Sequence, residues 1–130
     1  MSALSDHAEA LALDWLMTNG AATRPTAWYV ALYTAAPADA GGGTEVSTGG
    51  YARKSVTFNA AASPGGTTEN AGIVTWTASG ADYGTVTHMG ILDAVSGGNL
   101  LWHGALTSSK VVQDGDTVQF NAGNLALTLA

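Results

Sequence analysis

Apolar positions change their spacing once along the chain. Near the start, Leu4, Ala8, Leu11, Ala12 and Trp15 recur close to every 3.6 residues and share one helical face. Leu16 and Met17 widen that stripe. Ser2 and Ser5 are both candidate N-caps, and Asp6 and Glu9 stand at capping-box spacing. Asn19-Gly20 offers a left-handed stop ahead of Pro25. Residues 1–20 are therefore expected to hold one α-helix. Its stripe is too apolar to face water and must be covered, either by the open end of its own β-domain or by a partner. Capping its own domain is the favoured alternative.

From residue 28 onward the period is two. In residues 28–34, Trp28, Val30 and Leu32 alternate with Tyr29, Ala31 and Tyr33. Large groups on both faces predict a strand covered on both sides. Further strands are expected at residues 53–58, at 72–77 with Val74 and Trp76 on one face, at 117–120, and at 125–129 with Leu125, Leu127 and Leu129 alternating. Residues 86–92 and 100–106 form an expected hairpin across Ser96-Gly97-Gly98-Asn99. Asp114-Gly115-Asp116 marks a tight turn, and residues 60–70 are read as a loop around Pro64-Gly65-Gly66. Residues 37–50, centred on Gly41-Gly42-Gly43, form a loop long enough to be functional or held by a partner. The expected fold is mainly β: an antiparallel, jelly-roll-like β-sandwich of about seven or eight strands with one N-terminal helix. Residues 1–130 form a single domain, divided into the helix (1–20) and the sandwich (26–130).

Composition narrows the function. Charged residues make up 11% of the chain, against about 25% in an average soluble domain. Hydrophobic residues reach 46%, which excludes a disordered chain. So sparse a charge fits either a hydroxyl-rich β-surface or a surface hidden in an assembly. The net charge is −6, and the only cations are Arg24, Arg53, Lys54 and Lys110. Four scattered cations cannot track a phosphate backbone, so neither nucleic acid nor an acidic membrane surface is an expected partner. No apolar run approaches a membrane span of about 20 residues. Residues 1–7 lack the basic stretch of a signal peptide. With no cysteine, disulfides and thiolate chemistry are excluded.

Candidate chemistry is thin. The histidines are His7, His88 and His103. His88 and His103 fall in the two arms of the expected hairpin, as possible cross-strand neighbours, but no third ligand accompanies them. Facing each other at an interface, they would weaken an assembly below about pH 6, where histidine charges. Asp82, Asp93, Asp114 and Asp116 lie in expected turns, and Asp114-Gly115-Asp116 is too short to supply a calcium loop. The glycine groups Gly41-Gly42-Gly43 and Gly49-Gly50 lack the Lys and helix of a phosphate loop, and no serine nucleophile elbow is present. Of Trp15, Trp28, Trp76 and Trp102, Trp28 and Trp76 follow strand alternation into the core; an exposed one would suit a host glycan. No catalytic, cofactor-binding or metal-ligating residue is assigned, and no enzyme activity or cofactor is expected.

Four stretches resemble a known family. They are residues 4–17; residues 28–37 running on to Gly43-Thr44-Glu45-Val46-Ser47 and Gly50-Tyr51-Ala52-Arg53; residues 84–93; and Gly97-Gly98-Asn99-Leu100-Leu101 through residues 104–110. In order along almost the whole chain, they are similar to a widespread group of small tailed-bacteriophage virion proteins, labelled tail fibre proteins. The resemblance implies a non-enzymatic structural component of the virion, assembled in the host bacterial cytoplasm. It would associate with itself, as a homotrimer, or dock on other phage structural proteins of head or tail. No repeat or heptad of a long shaft is present, so a tail-fibre or adhesion subunit would be a compact one. The alternatives are a head decoration or cement protein on the capsid, and a carbohydrate-binding module for the host surface.

Overall fold

The computed structural model describes residues 2–63 and 65–129. In chain order the elements are β1 (Ser2–Leu4), α1 (Asp6–Met17), β2 (Tyr29–Ala35), β3 (Thr44–Glu45), β4 (Lys54–Ser55), β5 (Thr67–Glu69), β6 (Val74–Thr77), β7 (Gly84–Leu92), β8 (Leu100–Val112), β9 (Thr117–Phe120) and β10 (Ala126–Thr128). The expectation of a mainly β, antiparallel chain with one helix near its start holds. The jelly-roll-like sandwich of seven or eight strands finds no support. Among the described residues there are ten strands, in one six-stranded sheet and two two-stranded ribbons.

The six-stranded sheet runs β1-β8-β7-β2-β3, with β4 also on β2. At its centre is the β7–β8 hairpin, longer than the sequence predicts, pairing from Gly84↔Val112 to Leu92↔Leu100. β2 lies along β7 from Tyr29↔Leu92 to Tyr33↔His88. The other edge of β2 is shared by two short strands: β4 covers Tyr29 and Val30, and β3 covers Tyr33 and Ala35. The Leu32 amide between them donates to the Tyr51 hydroxyl (3.0 Å), so a side chain completes the ladder where both strands stop.

As predicted for β2, both its faces are covered. Val30 and Leu32 join Val74, Trp76, Val86, Ile91, Val118 and Leu127 in the main core, between the large sheet and the ribbons β6–β9 and β5–β10. On the reverse face, Ala31, Tyr33, Leu92 and Leu100 form a smaller apolar cluster. Alternation in β6 sends Val74 and Trp76 inward, as expected, and Trp76 Nε1 donates to the Ala52 carbonyl (2.9 Å).

Asn70 is fully buried where the expected loop of residues 60–70 ends. Its Nδ2 donates to the carbonyls of Gly72 (2.8 Å) and Asn121 (3.0 Å), and its Oδ1 accepts from the Leu125 amide (2.9 Å). One amide thereby ties the approaches to β6 and β10. Within the expected loop, residues 67–69 are a strand.

The start of the chain departs from the expected division into helix and sandwich. Residues 2–4 are a strand on the edge of the large sheet, pairing Ser2↔Gly104 and Leu4↔Trp102. Leu4 therefore does not belong to the helical stripe. Of the two candidate N-caps, Ser5 is the cap: its Oγ accepts from the Ala8 amide (3.2 Å) and donates to the Leu100 carbonyl. The helix ends at Met17 without the left-handed turn expected at Asn19-Gly20. Thr18 is extended, its hydroxyl donates to the Asp14 carbonyl (3.1 Å), and the Gly20 amide donates back to that hydroxyl (3.0 Å).

Candidate functional site

Two features stand apart from the core: the far half of α1, and an open pocket on the reverse face of the large sheet. On α1, Ala8 is the buried residue, and Leu11 and Ala12 are half-buried. Beyond them Leu13 is 61% exposed, Trp15 69%, Leu16 62% and Met17 76%. The helix is thus anchored through its first turns, and its apolar end is left uncovered. The expectation that α1 caps its own domain is met by Ala8 and by the Ser5 link, and fails from Leu13 on.

The pocket has a volume of about 710 Å³. Tyr33, Leu92 and Leu100 from the sheet, Glu45 of β3, and Arg53 line it. Its rim is the first turn of α1 with the glycine-bearing segments 39–43 and 97–99. Both segments are held by the chain itself. Residues 37–50, expected to be a long loop, are broken by an Ala38↔Gly41 bridge and by β3. The Asp39 carbonyl accepts from the Asp6 amide (3.0 Å), and the Asp39 carboxylate meets His103 Nε2 (2.7 Å). In the hairpin loop Asp93 accepts from the amide (2.7 Å) and Nδ2 (3.0 Å) of Asn99. Burial pushes the Asp93 carboxyl up, but these hydrogen bonds outweigh it and hold the group below its ordinary value.

One wall of the pocket is an ion-pair network. Arg53 binds Glu45 through Nε (2.9 Å) and Nη2 (2.8 Å), and its Nη1 donates to the carbonyls of Ala94 (2.9 Å) and Gly97 (2.8 Å). Glu45 also accepts from the Tyr51 hydroxyl (2.7 Å). Burial pushes Glu45 up, yet the hydrogen bonds from Arg53 and Tyr51 and the Arg53 charge leave it below its ordinary value. Burial pushes the Tyr51 and Tyr33 hydroxyls up, and the Glu45 charge adds to both shifts.

The predicted candidates scatter. His88 and His103 lie on the expected hairpin but are not directly opposed: His88 faces Ala105 and His103 faces Gly90. His88 Nδ1 instead meets Thr87 Oγ1 (2.8 Å), and His7 is on the pocket rim. The turn carboxylates cap backbone amides: Asp82 accepts from Asp114 N (2.7 Å), Asp114 from Gly80 N (2.9 Å), Asp116 from Gln113 N (2.9 Å). Among the described residues no three His, Cys, Asp or Glu side chains are grouped to hold a metal. No helix among them is long and apolar enough to cross a membrane. Trp76 goes to the core as predicted, Trp28, expected there too, is only half-buried against it like Trp102, and Trp15 is the exposed tryptophan, set among apolar neighbours. Sequence reasoning passed over Glu45, Tyr51 and Arg53 as a unit. The available signal was charge scarcity: in a chain with four cations, an Arg and a Glu bracketing a glycine-rich segment are conspicuous.

Residues 3–128 match the family described as Podophage GP4 fiber I protein gp80. No curated protein matches the chain. The match covers nearly the whole sequence, so the chain belongs to this family of phage fibre structural proteins, in agreement with the resemblance drawn from its residues.

Proposed function

We propose that this member of the gp80 fibre family is a compact, non-enzymatic subunit of a podophage tail fibre that assembles with copies of itself, as a homotrimer, through the exposed half of α1. The observation that carries the reading is the exposure of Leu13, Trp15, Leu16 and Met17 on a helix tethered at its other end. At about 100° per residue, the apolar positions from Leu11 to Met17 cover about two-thirds of the helix circumference, leaving Asp14 on the remainder. An arc that wide is not satisfied by one flat surface. It suits a helix wedged between two neighbours, as in a closed cyclic assembly. Second and third copies of the chain are therefore the occupants that fit, and the fibre family supports that reading over a head decoration role.

Light scattering across a concentration series tests it. The expected molar mass is three times that of the chain, falling to the monomer value when Leu13, Leu16 and Met17 are changed to Gln with folding retained. A wild-type protein that stays monomeric at every concentration overturns the reading.

A further inference from the structure

We propose that a groove between α1 and residues 22–24 receives Leu16 and Met17 of a second copy of this chain, with Arg24 of the first copy facing Asp14 of the second. This contact presupposes the self-assembly proposed above and specifies its two mating surfaces. Ala8, Leu11, Ala12 and Trp15 form one wall of the groove, and Ala22 and Arg24 the other. Its volume of about 250 Å³ falls below the roughly 300 Å³ at which small-molecule sites begin. Apart from Arg24 its lining residues are apolar. A space of that size and chemistry suits inserted apolar side chains better than a free ligand. At about 100° per residue, the wide apolar arc of α1 divides in two, with Leu13, Leu16 and Met17 centred about 140° round from Ala8, Leu11, Ala12 and Trp15. The helix therefore has a hollow on one side and uncovered apolar side chains on another. Such surfaces mate head to tail from copy to copy, and head-to-tail contacts close into rings.

Charge selects the occupant. The chain carries a net −6, so copies repel one another unless a cation stands at their contact. Of the four cations, Arg53 is bound to Glu45, whereas Arg24 is exposed and forms no ion pair with any described residue. The last turn of α1 holds Asp14 and no basic residue, although a helix C-terminus favours a cation. The uncovered end of α1 is thus apolar and negative, and the groove is apolar and positive. Within one chain the two charges are not paired; between copies they complement each other.

Light scattering of full-length variants across a concentration series tests the contact, with circular dichroism checking that each is folded. Ala22→Trp, which fills the groove and leaves Leu13, Leu16 and Met17 untouched, is expected to give monomers where the wild type is a trimer. Arg24→Glu, at an exposed position, is expected to raise the concentration of half-dissociation about tenfold or more. Adding Asp14→Arg to Arg24→Glu is expected to restore assembly, which a merely structural role for Arg24 would not produce. A trimeric wild type with an unaffected Arg24→Glu variant, with a folded Ala22→Trp variant that is still trimeric, or with a charge swap that restores nothing overturns the groove contact and leaves the assembly reading standing. A wild type that is monomeric at every concentration overturns both.

Discussion

Gly90 sits directly beneath the ring of Tyr33. A Cβ at position 90 would lie 2.9 Å from Tyr33 Cε2 and 3.0 Å from a Leu100 methyl. Glycine in a central strand normally weakens it. Here its missing side chain is what leaves room for the Tyr33 ring against β7. Gly90→Ala is expected to destabilise the fold by about 1–3 kcal/mol through overpacking, read as a lower urea midpoint, and to displace the Tyr33 ring resonances.

Asn70 carries three hydrogen bonds in full burial. Asn70→Ala would leave the Gly72 carbonyl and the Leu125 amide without their partner and remove one of two donors to the Asn121 carbonyl. A loss of about 3 kcal/mol is expected by chemical denaturation. Asn70→Asp keeps the acceptor and loses the Nδ2 donor, so it should also destabilise.

Ser5 links the helix to the sheet, since the same hydroxyl caps α1 and reaches the Leu100 carbonyl. Ser5→Ala is expected to cost about 2 kcal/mol. Hydrogen exchange should locate the loss in the first turn of α1 and in β1.

Stability should fall with acidification through Glu45. Its pKa in the folded chain is below the unfolded value, so the unfolded chain takes up the proton first. The contribution is complete above the ordinary glutamate value of about 4.3 and is lost as pH drops through the lower folded value. Glu45→Gln should therefore give a shallower decline in stability between about pH 5 and pH 3. Asp93, lowered for its own reasons, acts with the same sign and keeps the slope above zero.

Arg53 closes the pocket wall by holding Glu45 and the two carbonyls of the hairpin loop. Arg53→Met should destabilise the fold more than Glu45→Gln does. Methionine leaves the Glu45 carboxylate without its countercharge and two carbonyls without a donor, whereas Gln at position 45 still offers an acceptor to Arg53 and Tyr51. Thermal unfolding of the two variants at pH 7 measures the order.

Short-range pattern was enough for the β7–β8 hairpin, the inward face of β6, the double coverage of β2 and the existence of α1. Each follows from alternation, helical spacing or turn residues within a dozen positions. The helix boundary at Leu4 was misjudged because the same apolar residue serves a strand edge or a helix face, and pairing with Trp102 decided between them.

Amino-acid order alone determined that the chain is mainly β, with an apolar helix near its start, because period and composition are local properties. Long-range closure decided the rest. Ser5 meets Leu100 across 95 positions, Asn70 meets Leu125 across 55, and Arg53 meets Gly97 across 44. None of these pairs leaves a periodic trace, since a hydrogen bond between distant segments requires only one residue at each end. The exposed end of α1 was settled in the same way: its stripe announced that something must cover it, and the packing that buries Ala8 but leaves Leu13, Trp15, Leu16 and Met17 exposed determined that its own domain does not.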